Sequence, residues 1–480
     1  MPSLHYNLRY TLRMLWKTLP IGFDILTNSA GAVAFFRKYF VTTVAPGEHS
    51  SKRLLRGHLA GAASSVHPCN NDLQPLDLRA PFRRESLRSF MQPAQRMIST
   101  FAFATLVPLV TFAAPTPANS TPTVGNKAEI IAYVFPRGRV LRPDEVAAKK
   151  LTRINYAFAN VADGKVVEGF AHDNENFAIL KGLRQQNPDL KILVSVGGWT
   201  WSKNFSDASL TRKSRKIFID SAVDFVTRYD LDGLDIDWEY PGLKGDDNKF
   251  RPEDKQNYTL LLKELRLSFN REGTRLHRHL YTSIATGSSK NFLEHTEMAK
   301  VQLYVDSINL MTYDMYGGDK NTGHHSPLYE NPDDPKRVSS NQSVRNFLEA
   351  GVKPNKIVLG VPFYGKGWTN VAATRNGLFQ SGTSSHDLHL DYGSIESILL
   401  KPGSGYVRYF DYTSDSPYLY NANSQTWVDY EDAESLAHKT LYVRDYHLGG
   451  IMFWEYTGDP NNVLLDAINA GLHPHTEVKP

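Results

Sequence analysis

From residue 128 onward, short runs of apolar and β-branched residues alternate with longer segments whose apolar positions repeat every three to four residues. Runs of the first kind predict strands and those of the second predict amphipathic helices. The candidate strands are 128–135 (AEIIAYVF), 152–161 (TRINYAFANV), 190–197 (LKILVSVG), 231–239 (LDGLDIDWE), 279–286 (HLYTSIAT), 306–313 (DSINLMTY), 356–363 (KIVLGVPF) and 448–455 (LGGIMFWE). Helical spacing is clearest over 211–229 and 255–270. Eight strands alternating with helices predict an α/β fold, a closed parallel (β/α)8 or TIM barrel over 127–472, with its chemistry at the C-terminal strand ends. Residues 366–446, between the seventh and eighth strands, are too long for a connecting loop. They carry Tyr/Trp-rich runs such as 405–412, so a folded insertion is expected there.

The N-terminal part follows no such pattern. Residues 1–90 show no sustained periodicity and are assigned no fold. They hold a net charge of +7, which leaves −3 for residues 91–480. The overall +4 therefore comes from the arm, and the body has no basic footprint for nucleic acid. The single cysteine, Cys69, lies in the arm as well, so cysteine usage says nothing about compartment. Residues 97–114 (MISTFAFATLVPLVTFAA) follow Arg96 and run into Ala113-Ala114-Pro115, the layout of a secretory signal peptide. Two readings stand: translation beginning at Met91 or Met97, with 91–114 a cleaved leader, or an internal signal-anchor, the only route to a membrane here. At 18 residues with Pro108 inside, the run is marginal for a span. Residues 115–126 read as a Pro/Thr/Ser linker and 473–480 as a tail. A secreted monomer is expected.

The chemistry concentrates in Asp232-Gly-Leu-Asp235-Ile-Asp237-Trp-Glu239-Tyr-Pro241, four carboxylates within ten residues. Period-two alternation places Asp235, Asp237 and Glu239 on one face and Leu234, Ile236 and Trp238 on the other. Three carboxylates on one face repel, so at least one should hold its proton at raised pKa. Glu239, at the strand end, is where a substrate would meet such a general acid. Asp232 lies out of phase and reads as structural. A solvated acidic ladder is the bland alternative, but it does not explain the apolar opposite face. A Mg²⁺ or Ca²⁺ site would need further ligands that no pattern here supplies. No metal and no cofactor are expected.

The pattern Asp-x-x-Asp-x-Asp-x-Glu resembles the signature of glycoside hydrolase family 18, the chitinases and their lectin relatives. Four more stretches agree in order: Lys191-Ile-Leu-Val-Ser195-Val-Gly197-Gly198-Trp199, Asn309-Leu-Met311-Thr-Tyr313-Asp314-Met-Tyr316-Gly317, Gly360-Val-Pro-Phe-Tyr364-Gly365 and Gly449-Gly-Ile-Met-Phe-Trp454-Glu455. The resemblance implies an α+β insertion over 366–446 that walls one side of a substrate groove. It also implies a substrate-assisted reaction, in which the sugar's own 2-acetamido group is the nucleophile. On this reading Glu239 is acid and then base, and Asp237 orients the acetamido group. Asp235 shares a proton with Asp237, and Tyr313 donates to the acetamido carbonyl. Asp314 contacts the same sugar, while Tyr133 and Ser195 bond the inner aspartate.

The resemblance further puts Trp454 under the −1 sugar, Trp199 on the +1 side and Met311 beneath the ring. Trp201, Trp368 and Trp427 are candidates to extend the groove. Lys366 stands where the family more often has Arg, keeping the charge but losing the planar fork. The loop Pro136-Arg137-Gly138-Arg139 is shorter than usual, which would open one end of the groove. The implied substrate is chitin or its oligosaccharides. A chitin-binding lectin and an endo-β-N-acetylglucosaminidase acting on N-glycans remain as alternatives. Asn119, Asn204, Asn257 and Asn341 head Asn-x-Ser/Thr acceptor sequences, which matter only in a glycosylating pathway.

Overall fold

The computed structural model describes residues 128–474 except His386, Asp387 and His389. The readings for 1–90, 91–114 and 115–126, and most of the 473–480 tail, lie outside the described residues.

Eight parallel strands close into a barrel: β1 (Glu129–Val134), β2 (Arg153–Ala162), β4 (Lys191–Gly197), β5 (Gly233–Asp237), β6 (Tyr281–Gly287), β7 (Ser307–Met311), β8 (Ile357–Pro362) and β14 (Gly450–Trp454). Each pairs in parallel with its neighbour, and β14 and β2 both flank β1, so the sheet has no free edge around the ring. A short strand, β3 (Lys165–Val167), folds back antiparallel on the end of β2. Its three residues are too few to show a period in the sequence. The fourth expected strand is shorter than 231–239: pairing ends at Asp237, and Glu239 lies two residues beyond it.

Helices fill the outer layer. The main ones are α1 (Asp173–Gly182), α2 (Arg212–Arg228), α3 (Asp254–Leu276), α4 (Ser340–Glu349), α5 (Ala433–Asp445) and α6 (Val463–Leu472). Helix α2 starts at a capping box, in which Thr211 accepts from the Ser214 N–H and the Ser214 hydroxyl accepts from the Thr211 N–H. It buries Phe218, Ile219, Ala222, Phe225 and Val226, the helical period that made it legible. Helix α3 runs six residues past the expected 270, through Gly273. Glycine weakens a helix by about 1 kcal/mol, but a Cβ there would lie 2.5 Å from the Arg278 carbonyl oxygen, so close packing selects it. The alternation within β5 divides two layers. Leu234, Ile236 and Trp238 join the core between barrel and helices, while Asp235 and Asp237 project into the barrel.

After β8 the chain forms a second, antiparallel sheet from β9 (Lys366–Thr369), β10 (Thr383–Ser385), β11 (Val407–Asp411), β12 (Ser416–Asn421) and β13 (Thr426–Asp429), in the order β10-β9-β13-β12-β11. Short helical turns at Tyr392–Ser394 and Ile395–Leu399 complete this α+β insertion. The sheet ends at Asp429. Helix α5, inside the expected 366–446 span, packs instead on α6 and β14 in the barrel's outer ring.

Candidate active site

The carboxylate row stands on β5, and backbone geometry holds its end in place. Gly197 pairs in register with Asp237 and has φ +108°, and any Cβ there would come within 2.3 Å of the Asp237 carbonyl oxygen. The next residue, Gly198, donates its N–H to that same oxygen at 2.8 Å. The two glycines of the Ser-x-Gly-Gly stretch thus let the end of β4 close on the carboxylates.

Asp235 is fully buried and accepts four hydrogen bonds. Its Oδ2 receives the Tyr133 hydroxyl at 2.9 Å and the Ser195 hydroxyl at 2.7 Å. Its Oδ1 receives the Ser283 hydroxyl at 2.5 Å and the Asn309 amide at 3.1 Å. Burial raises its pKa, while Ser283, Ser195, the Arg153 guanidinium and Tyr133 act against that rise. Asp237 comes next along the strand, and its Oδ1 has no hydrogen-bond partner among the described residues. Burial first, then the charges of Glu239 and Asp235, push its carboxyl well above the usual range. Glu239 is 8% exposed, and its pKa is raised to about 7. Burial is the main cause; a hydrogen bond from Tyr240 opposes it, and the Asp314 charge adds to it.

These groups open on a cavity of about 1260 Å³ at the C-terminal end of the barrel. Asp237, Glu239, Tyr313, Asp314, Met311, Tyr133, Trp199, Trp201 and Trp454 line it, so nine of the residues singled out in the sequence meet there. Of those expected at the carboxylates or the sugar, three do not reach it. Asp235 and Ser195 lie beneath, and Lys366 stands behind Asp314 with its Nζ 2.9 Å from Oδ1. The Tyr364 hydroxyl donates to the same oxygen at 2.7 Å, and the buried His325 ring approaches it at 3.7 Å. Burial alone would raise the Asp314 pKa, but His325 and Lys366 outweigh it and hold the carboxyl below its ordinary value.

One wall of the cavity is aromatic. Trp454 stacks on Phe158 at 5.4 Å and contacts Phe135 and Tyr133. Trp201 joins this wall beside Phe170 at 5.0 Å, and Trp199 is 51% exposed. The expectation for the other two tryptophans is corrected. Trp368 and Trp427 are fully buried against each other at 5.4 Å, in the insertion's own core with Val371, Tyr418 and Tyr420. A five-stranded sheet this small needs large side chains to cover its face, and these two do so. The polar side chains of Lys244, Lys290, Asn291, Gln342 and Asn346 also line the cavity.

Sequence reasoning missed several supporting residues. Ser283 sits opposite Asp235 in the register of β5 and β6, and Asn309 faces inward from β7. Their signal was a polar residue inside an otherwise apolar barrel strand. Ser202, which bonds the Glu239 backbone, opens the short 3-10 turn Ser202–Asn204 and left no such mark. Asp232 is structural, accepting the Ile192 N–H and pairing with Arg184, both at 2.8 Å. Asn257 and Asn341, two of the glycosylation candidates, are buried, and Asn204 donates to the Val161 carbonyl.

Residues 129–459 match the profile of the glycosyl hydrolases family 18. The chain belongs to that family. Chitinase A1 of Niallia circulans is 37% identical to this family 18 chain over 424 residues, covering 76% of this chain and 60% of that protein. The chain thus spans less than two thirds of that relative's length. Chitinase 1 of Aphanocladium album is 32% identical over 365 residues, 70% of this chain and 82% of its own. Among solved structures, a family 18 N-acetylglucosaminidase from Paenibacillus barengoltzii superimposes with a TM-score of 0.66 at 40% identity, covering 72% of this chain and 99% of that one. Chitinase ChiA74 from Bacillus thuringiensis gives a TM-score of 0.69 at 32% identity, covering 72% of this chain and 70% of that one.

Proposed function

We propose that the protein is a chitinase, hydrolysing β-1,4 linkages of N-acetylglucosamine polymers with retention of configuration. The observation that carries this reading is Glu239, held protonated up to about pH 7 beside a buried carboxylate pair in an aromatic-walled cavity. A general acid is most effective when its pKa lies near the working pH. Glu239 protonates the glycosidic oxygen as the C1–O bond breaks. The acetamido oxygen of the −1 sugar attacks C1, forming an oxazolinium ion. Asp237 orients that group and offsets its positive charge, sharing one proton with Asp235, whose four donors favour the ionised form. Tyr313 donates to the acetamido oxygen, and Trp454 floors the sugar ring. Water then adds at C1 and gives its proton to Glu239, restoring the acid.

A lectin has no need of a buried, protonated glutamate, so binding alone is the weaker reading. Cleavage of N-glycan cores would use the same carboxylates. We also propose that the apolar run 97–114 directs secretion, leaving a mature monomer that begins near Ala114. N-terminal sequencing of the protein recovered from culture medium tests that point.

The direct test is hydrolysis of chitobiose and chitotriose chromogenic glycosides and of chitohexaose, beside Glu239→Gln. General acid assistance is worth about 10²–10⁴-fold, and a loss of that size in the variant supports the assignment. A high-mannose glycoprotein assayed alongside separates the two substrate classes. Binding of chitin oligomers by the wild type without turnover would leave the lectin as the answer.

A further inference from the structure

Arg153 opens β2 at the N-terminal end of the barrel and is only 1% exposed, among the largest fully buried side chains described. No motif of the family resemblance includes it. Its guanidinium donates to the Ser307 hydroxyl at 2.9 Å and to the Asn309 Oδ1 at 3.1 Å, and approaches Glu129 at 3.4 Å. A guanidinium has no acceptor. The amide oxygen of Asn309 must therefore face Arg153, which turns the amide NH2 toward the carboxylates. That NH2 donates to Asp235 Oδ1 at 3.1 Å and to the Tyr133 hydroxyl oxygen at 2.9 Å. With its oxygen already engaged as an acceptor from below, the Tyr133 hydroxyl points its own proton at Asp235 Oδ2. The direction of the whole network beneath the active carboxylates thus traces back to one buried cation.

We propose that Arg153 is a positioning residue for the reaction, orienting Asn309 and Tyr133 as donors and supplying the buried counter-charge that keeps the Asp235–Asp237 pair anionic. The inference rests on the chitinase reading above. Few other groups compete for this role. Among the described residues the pair is faced by Tyr133 from β1, Tyr258 from α3, Glu239 and Tyr240 beyond β5 and Tyr313 beyond β7, none of them cationic. Arg153 itself is faced by Glu129 from β1 and Tyr281 from β6. The guanidinium opposes the rise in the Asp235 pKa that burial causes.

The test is the pH profile of kcat/KM on a chitotriose glycoside for the wild type, Arg153→Met and Arg153→Lys, with Tm measured for each. Loss of the cation makes the pair hold its proton more tightly, so the acidic limb of Arg153→Met should move up by about half to one pH unit. Activity at pH 4 would then fall roughly three- to tenfold further than at pH 7. Arg153→Lys keeps the charge and should return the limb toward its wild-type position. An acidic limb unmoved in Arg153→Met, with rate and Tm falling together, would overturn the proposal and leave Arg153 a packing residue. Should Arg153→Met not fold, Glu129→Gln takes its place: removing the competing anion should lower the acidic limb, and a limb that stays or rises refutes the role. A wild type inert on every chitin oligosaccharide would instead overturn the function itself, and this inference with it.

Discussion

The hydroxyl of Ser202 accepts the backbone N–H of Glu239 at 2.8 Å, and so ties the 3-10 turn after β4 to the residue just past the end of β5. The same oxygen lies 2.8 Å from the Gly198 carbonyl and 3.0 Å from that of Asp237. One small polar side chain therefore sets where the chain carrying the acid leaves the strand. Ser202→Ala would strand the Glu239 N–H in a buried place, at about 1–3 kcal/mol. The expected result is a lower Tm and a kcat reduced about tenfold or more, with KM little changed. Thermal unfolding and steady-state kinetics on a chitotriose glycoside measure both.

Glu239 must be protonated to act, so activity should fall as the pH rises through about 7. The Asp314 charge is one of the causes that raise this pKa. Asp314→Asn should therefore move the alkaline limb to lower pH. Stability carries the same sign. The folded protein binds this proton more tightly than the unfolded chain, so the contribution is complete below the ordinary carboxyl range and is lost as pH rises through about 7. An alkaline limb in Asp314→Asn that coincides with the wild type would count against the coupling.

His324, in the segment between β7 and α4, is buried against the insertion sheet, with Nδ1 2.6 Å from Asp429 and Nε2 3.5 Å from Asp411. Burial disfavours the imidazolium, but the two carboxylates outweigh it and raise the pKa to about 9. The folded value lies above the unfolded one, so the stabilisation is full below pH 6.5 and is lost as the pH rises through about 9. Tm should fall by several degrees between pH 8 and 10, and His324→Gln should flatten that dependence. Calorimetry across this range decides it.

Two tryptophans should separate groove from core. Trp427→Ala empties a buried site and should cost about 3–5 kcal/mol, a Tm loss on the order of 10 °C. Trp199→Ala removes a half-exposed ring from the cavity rim and should raise KM for longer oligosaccharides with Tm nearly constant. If Trp427→Ala changed oligosaccharide affinity at unchanged Tm, it would belong to the groove after all.

The sequence by itself determined the eight strands, the two clearest helices, the presence of a folded insertion and the row Asp235, Asp237, Glu239. Each of these is a local pattern: a period of two or of three to four residues, or a spacing within ten positions, and local patterns are written in the chain. The partners that give those carboxylates their properties are not local. Tyr133 and Asn309 meet across 176 positions, and Ser195 and Ser283 reach Asp235 across 40 and 48. Closure of the barrel brings them together, and only that closure decides which polar residue points inward at which level. It was equally the tertiary structure that sent Trp454 to the cavity and Trp427 to a core, because one indole looks like another until its neighbours are known. Arg153 is the extreme case: on the chain it is one arginine at the start of a strand, and only the closed barrel makes it a buried cation beneath three carboxyls.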